Sequence, residues 1–95
     1  MYLFCYDFPS TPNGNKRRNQ IVKYLKGHGI RVQYSVFETR FKNNEELEFS
    51  LKKMEKMLNL KEDSLRIYPF NELSEREIRI LGEGKVFERE DHYIF

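Results

Sequence analysis

The stretch "IRVQYSVFETRF", Ile30 to Phe41, decides how this chain folds. It is rich in β-branched and aromatic residues, which suit a pleated, half-buried surface. Ile30, Val32, Tyr34 and Val36 share one parity, whereas Phe37 and Phe41 share the other. Side chains alternate faces along a strand, so the apolar face changes sides near Val36-Phe37. That predicts two short strands separated by a bulge or a tight bend.

Upstream, Gly27 and Gly29 separate this stretch from a helix predicted over Lys16 to about Lys26, with Asn15 as its N-cap. Arg18, Ile21, Val22 and Leu25 fall on one face of that helix. Pro9 to Asn15 is a loop by composition. Tyr2 to Tyr6 is an apolar run short enough for a buried strand, and Asp7 closes it. Downstream, Asn43-Asn44 caps a second helix, Glu45 to about Asn59, whose stripe of Leu47, Leu51, Met54 and Leu58 reads as core packing. Glu62-Asp63 turns into a strand over Ser64 to Phe70, with Pro69 near its end, where a missing N–H is tolerable.

The order is β-α-β-β-α-β, the split βαβ or ferredoxin-like pattern of an α+β domain. Both apolar helix stripes then pack on one face of an antiparallel sheet. One domain spans residues 1–95, with about 71–95 as a C-terminal tail. In that tail Ser74 and Glu77 have capping-box spacing, and Ile78 and Ile80 alternate with Arg79 and Leu81. We expect a turn and then a short strand at about Ile78–Leu81. A lone strand needs an edge to pair with, and a partner subunit's sheet in a homodimer would supply it. The apolar Tyr93-Ile94-Phe95 also needs a surface to dock on.

Composition narrows the function. Of 95 residues, 39% are apolar and 15% aromatic, which suits a folded domain. A chain this short buries only about 60–65% of the surface its unfolded form exposes, so a second copy would help it. The single cysteine, Cys5, excludes an intrachain disulfide and suits a reducing cytoplasm. No run reaches the roughly 20 apolar residues of a membrane span, and the start lacks a signal-peptide pattern. A soluble, cytoplasmic protein is expected.

Charge is distributed unevenly. Residues 8–37 carry Lys16, Arg17, Arg18, Lys23, Lys26 and Arg31 and no acidic side chain. Residues 38–95 hold 11 basic and 14 acidic side chains. A one-sign segment beside a mildly acidic remainder suggests a polyanion such as nucleic acid, although a solvated basic helix face has the same composition. Lys16, Arg17 and Arg18 lie near a helix start, where anions bind, but three adjacent residues cannot all face one phosphate. Arg31 alternates with apolar residues, so its side chain has a defined face.

Asp7 is the candidate for metal chemistry. One carboxylate rarely holds a divalent ion tightly, and Mg²⁺ prefers one or two with waters and phosphate oxygens. A two-fold dimer could bring two Asp7 side chains together to share a metal or a proton. Alternatively Asp7 caps the loop or pairs with an arginine such as Arg31. Other chemistries find little support. Ser35 has no histidine context for a nucleophile, since His28 and His92 read as surface residues. Zinc lacks ligands, and Asn13-Gly14-Asn15-Lys16 lacks Walker spacing.

Four stretches together resemble a known family. "YDF" at 6–8 closes the first strand, "NKRRNQIVKYL" at 15–25 forms a basic helix, and "GIRVQYSVFE" and "SLRIYPF" follow at 29–38 and 64–70. In order and spacing they resemble the second CRISPR-associated protein family, the small partner of the CRISPR integrase in spacer acquisition. The resemblance implies a ferredoxin-like homodimer whose C-terminal strand crosses onto the partner's sheet. It places Asp7 near the dimer dyad, where it is credited in some members with binding Mg²⁺, or Mn²⁺ in its place, for cleavage of RNA or DNA. Tyr6, Arg18, Arg31 and Phe37 match positions tied to activity or substrate binding, with Tyr6 beside Asp7 in the catalytic group. Lys16, Arg17, Arg18, Arg31 and Phe37 are the expected nucleic-acid contacts. Gln20 departs from members that carry another arginine there. Two functions remain open: a metal-dependent endonuclease, and a non-catalytic bridge that supports duplex DNA between integrase dimers. A small-molecule regulatory module would follow from the fold alone.

Overall fold

Alternation along Tyr2–Asp7 sends Tyr2, Phe4 and Tyr6 to one face and Leu3, Cys5 and Asp7 to the other. The computed structural model, which describes residues 1–84, builds the rest of the fold on that division. The elements are β1 (Tyr2–Asp7), α1 (Pro12–Lys26), β2 (Gly29–Gln33), β3 (Val36–Thr39), α2 (Asn44–Glu55), β4 (Ser64–Pro69) and α3 (Glu72–Arg76). The sheet order is β2-β3-β1-β4, and every neighbouring pair is antiparallel. This is the expected ferredoxin-like arrangement, with β1 central and β2 and β4 at the edges.

The register shows which residues share a face. Phe4 lies between Phe37 and Ile67, and Tyr6 lies opposite Leu65. With Ile21, Val22 and Leu25 of α1 and Leu47 and Met54 of α2, these form the core, in which Phe4, Phe37, Ile21, Leu25 and Met54 are fully buried. Each such side chain contributes about 1.5–3 kcal/mol relative to exposure. Both long helices therefore cover one face. On the opposite face stand Leu3, Cys5, Asp7, Ile30, Val36, Glu38, Arg66 and Tyr68. No helix covers them among the described residues.

Several local expectations shift. Helix α1 begins at Pro12, earlier than expected, because Thr11 is its N-cap and accepts from Gly14 N at 3.0 Å. Proline at the first helical position needs no N–H partner. Helix α2 starts on Asn43 as expected but ends at Glu55, before Asn59. The N-cap of α3 is Asn71, which accepts from Ser74 N at 2.8 Å; the Ser74–Glu77 capping box does not form. The break between β2 and β3 lies earlier than Val36-Phe37: a register irregularity spans Arg31 to Gln33, and Tyr34-Ser35 make the turn.

Residues 78–84 have no regular secondary structure, so Ile78–Leu81 pair with none of the described strands. Ile78, Ile80 and Leu81 instead line a hollow with Ile30, Val32 and Glu38. Helix α3 is tethered through buried Glu75, which accepts from the Met1 amino group at 2.9 Å and from Arg40. Burial pushes the Glu75 carboxyl up, but the hydrogen bonds from Arg40 and Met1 outweigh it and hold it below the usual range. Tyr93-Ile94-Phe95 and His92 lie outside the described residues.

Candidate nucleic-acid interface

Asp7 ends β1, opposite Ser64 of β4, and its side chain is exposed on the uncovered face of the sheet. It makes no ion pair with Arg31, which is turned to the helix-covered side. Its carboxylate therefore meets water rather than protein and needs no partner within the chain. No group of three or more His, Cys, Asp or Glu side chains capable of holding a metal occurs among the described residues. Asp7 is the carboxylate that a single chain presents at this strand end, and Mg²⁺ held there would also take waters and phosphate oxygens.

Tyr6 is the residue before Asp7, and strand alternation puts it on the other face. It is 5% exposed and packs among Phe8, Phe37 and Leu65. Its hydroxyl donates to Tyr34 O at 3.0 Å and accepts from Arg31 Nη2 at 3.0 Å. The chain therefore does not bring Tyr6 and Asp7 into one catalytic group; Tyr6 holds Arg31 instead. The Arg31 guanidinium also lies 5.5 Å from the Phe37 ring centroid and 6.0 Å from that of Tyr34. Phe37 is fully buried, so it supports Arg31 from below and offers no surface to a ligand.

The three basic residues near the start of α1 part company. Lys16 is exposed. Arg18 is half-buried, one turn before Ile21 and Val22, and donates to Asn15 Oδ1 at 3.1 Å. Arg17 turns away from solvent. Its Nε donates to Asp63 Oδ2 at 2.7 Å, and its Nη2 reaches Asp63 Oδ1 at 3.0 Å and Glu62 Oε2 at 3.1 Å. The bidentate Arg17 pair holds the Asp63 carboxyl below the usual carboxylate range, and a 2.8 Å bond from Asn59 N adds to this. Arg17 is thus a tie between α1 and the α2–β4 loop, its guanidinium engaged by Asp63 and Glu62. With 46 residues between the partners, no local pattern in the chain pairs them.

On the outer side of α1, Lys16, Lys23 and Lys26 are exposed and form no ion pair with any described residue. With exposed Asn19 and Gln20 they make an acid-free stripe along the helix. Sequence reading passed over Tyr34. It stands at the β2–β3 turn, 74% exposed, beside Arg31. The only available signal was an aromatic residue near the point where strand parity breaks.

Known proteins fit this arrangement. The family model described as "CRISPR associated protein Cas2" matches residues 1–78. The chain belongs to the Cas2 family. Over 93 residues it is 38% identical to a CRISPR-associated endoribonuclease Cas2 of Synechocystis sp., covering 98% of this chain and 96% of the relative. A CRISPR-associated endonuclease Cas2 of Thermus thermophilus is 34% identical over 84 residues, covering 88% and 83%. The crystal structure of Streptococcus pyogenes Cas2 superposes with a TM-score of 0.76 at 32% identity, covering 85% of this chain and 98% of that one. In this Cas2-family chain the uncovered sheet face carries Asp7, while the basic side chains that remain available lie on α1 and at Arg31.

Proposed function

We propose that the chain serves CRISPR spacer acquisition as a homodimer that binds duplex DNA beside the CRISPR integrase. Family membership supports the CRISPR role. The structural observation that carries the reading is the stripe of Lys16, Lys23 and Lys26. Three cations with no protein partner are free to replace the counterions of a phosphate backbone. Arg18 and Arg31 extend the positive surface toward the end of the sheet. Duplex binding should weaken steeply with salt, and replacing the three lysines by alanine should lower the slope of log K against log salt by roughly one per lost contact. An unchanged slope would remove α1 from the DNA path.

A second reading, metal-dependent cleavage of RNA or DNA, is favoured by Asp7, a solvent-exposed carboxylate at a strand end. The relatives' names, endoribonuclease and endonuclease, point the same way. Two Asp7 carboxylates related by a dimer two-fold would hold Mg²⁺ or Mn²⁺, which when bound supplies an activated water and charge stabilisation. The chain's own part is to present Asp7 and to orient phosphates with Arg31. The test compares the parent with Asp7→Ala on labelled single-stranded RNA and duplex DNA, with Mg²⁺, Mn²⁺ or EDTA. Metal-dependent cleavage lost in Asp7→Ala supports the nuclease. Equal or absent cleavage leaves the protein as a DNA-binding adaptor.

A further inference from the structure

We infer that the β2–β3 turn is a stacking platform for an unpaired nucleobase, with Tyr34 as the platform and Arg31 as the adjacent phosphate contact. The inference rests on the nucleic-acid-binding reading and adds to its duplex contact one for single-stranded segments or frayed ends. Tyr34 is 74% exposed, more than exposed Phe49 at 66% or Tyr68 at 42%. An exposed tyrosine alone means little. This one is held in place. The Tyr34 carbonyl accepts from the Tyr6 hydroxyl at 3.0 Å, and the Ser35 carbonyl accepts from Tyr6 N at 3.0 Å. Both turn residues are thus fastened through their backbone carbonyls to one core residue, so the backbone of the turn needs little ordering when a ligand binds.

Arg31 completes the site. One guanidinium N–H goes to Tyr6, and the planar group packs near the Tyr34 and Phe37 rings. The remaining donors have no acceptor among the described residues, so they are available to an oxyanion. No acidic residue occurs from 8 to 37, while Glu38 and Glu83 line a hollow that Arg31 and Gln33 also border. Phe49 shows the contrast: its ring is partnered by Lys53 at 5.8 Å and sits beside Glu45 and Glu48 in sequence. A π-face next to a fixed cation matches a base and its neighbouring phosphate. A paired duplex hides its base faces in the stack, so the fitting ligand is a single strand or a frayed end.

The test uses single-stranded DNA and RNA oligonucleotides carrying 2-aminopurine, together with the same sequence as a duplex. Tyr34→Ala leaves the Tyr34 backbone carbonyl in place, so the bond from Tyr6 survives. Tyr34→Phe keeps the ring. The parent and Tyr34→Phe should quench 2-aminopurine on binding. Tyr34→Ala should not, and its single-strand affinity should fall about 5- to 100-fold while duplex affinity stays within about twofold. Equal single-strand binding by Tyr34→Ala and parent overturns the platform. So does an equal loss on single strands and duplex, which would mean that Tyr34 acts by shaping Arg31. A change in mass by light scattering without a strand-specific effect would instead assign Tyr34 to a protein interface. If the parent binds no nucleic acid of any kind, the proposed function itself falls, a result distinct from all of these.

Discussion

Arg17 ties the α2–β4 loop to α1 through a carboxylate whose side chain is fully buried. Its loss leaves Asp63 buried with only the Asn59 N–H as partner, and an unpaired buried charge is destabilising. Arg17→Ala should lower Tm by roughly 5–10 °C and leave the salt slope of DNA binding nearly unchanged. Lys16→Ala should do the reverse. Acid titration gives a second readout. Asp63 and Glu75 both have folded-state pKa values below their ordinary ones. Between the two values the unfolded chain binds more protons, so stability rises with pH there. The parent should lose stability as pH falls from about 4 downward, and Arg17→Ala should lose the share of that steepness due to Asp63. A thermal melt series from pH 2 to 7 checks both. The sequence made Arg17 and Arg18 look alike, because adjacency says nothing about which way each faces or about a carboxylate many residues away. Asp7 and Tyr6 were legible as a pair of residues but not as a pair of side chains, since strand alternation separates them.

Helix α1 owes its early start to Thr11 and Pro12 and its docking to Gly14. A β-carbon at Gly14 would overlap the Pro9 carbonyl oxygen and come within 3.0 Å of Pro9 Cγ and Thr11 Oγ1. Gly14→Ala therefore sets two effects against each other. Alanine favours a helix interior by about 1 kcal/mol over glycine. The collision is with backbone, which cannot rotate away, and it strains the loop that follows Asp7. Overpacking of this kind costs about 1–3 kcal/mol, so we expect a net loss of stability and a lower Tm. A higher Tm would mean that the Pro9–Thr11 loop yields freely. The helix stripes and three of the four strands were readable to within a few residues because burial imposes their period. The caps were harder. Threonine followed by proline and Asn71 ahead of Ser74 are valid start signals, but each competes with a loop reading that has the same residues. The β2–β3 break was legible as a change of parity, whereas its position depends on which residues actually bond across the hairpin.

At the scale of the whole molecule, both long helices cover one face of the sheet, and the other face is left with Leu3, Cys5 and Val36 half-buried and Ile30 exposed. The face also carries Asp7, Glu38 and Arg66, and its apolar residues are where a second copy would dock. Edge strand β4 and the Arg79–Leu81 segment, which joins no described strand, add backbone groups that a second copy could satisfy. A two-fold arrangement of two such faces is self-complementary and puts like residues near one another at the axis. Val36 tests this without touching the core. Its directly opposite neighbours, Cys5 and Gln33, are uncharged, and the carboxylates on the same face are those of Glu38 and Asp7. In a monomer the new guanidinium would reach water, and the Tm should change little. In a face-to-face dimer two arginines would be forced into an apolar interface, and a buried unpaired charge costs several kcal/mol. The parent should therefore show a dimer mass by light scattering at micromolar concentration, and Val36→Arg should show a monomer with an unchanged far-UV spectrum. Any cleavage that needs two Asp7 side chains should vanish with the dimer. DNA binding by the α1 lysines should persist in the monomer at reduced affinity, because each copy keeps its own stripe but loses the gain from two linked contacts. A variant that stays dimeric would move the contact to another surface and separate the paired Asp7 site from the uncovered sheet face.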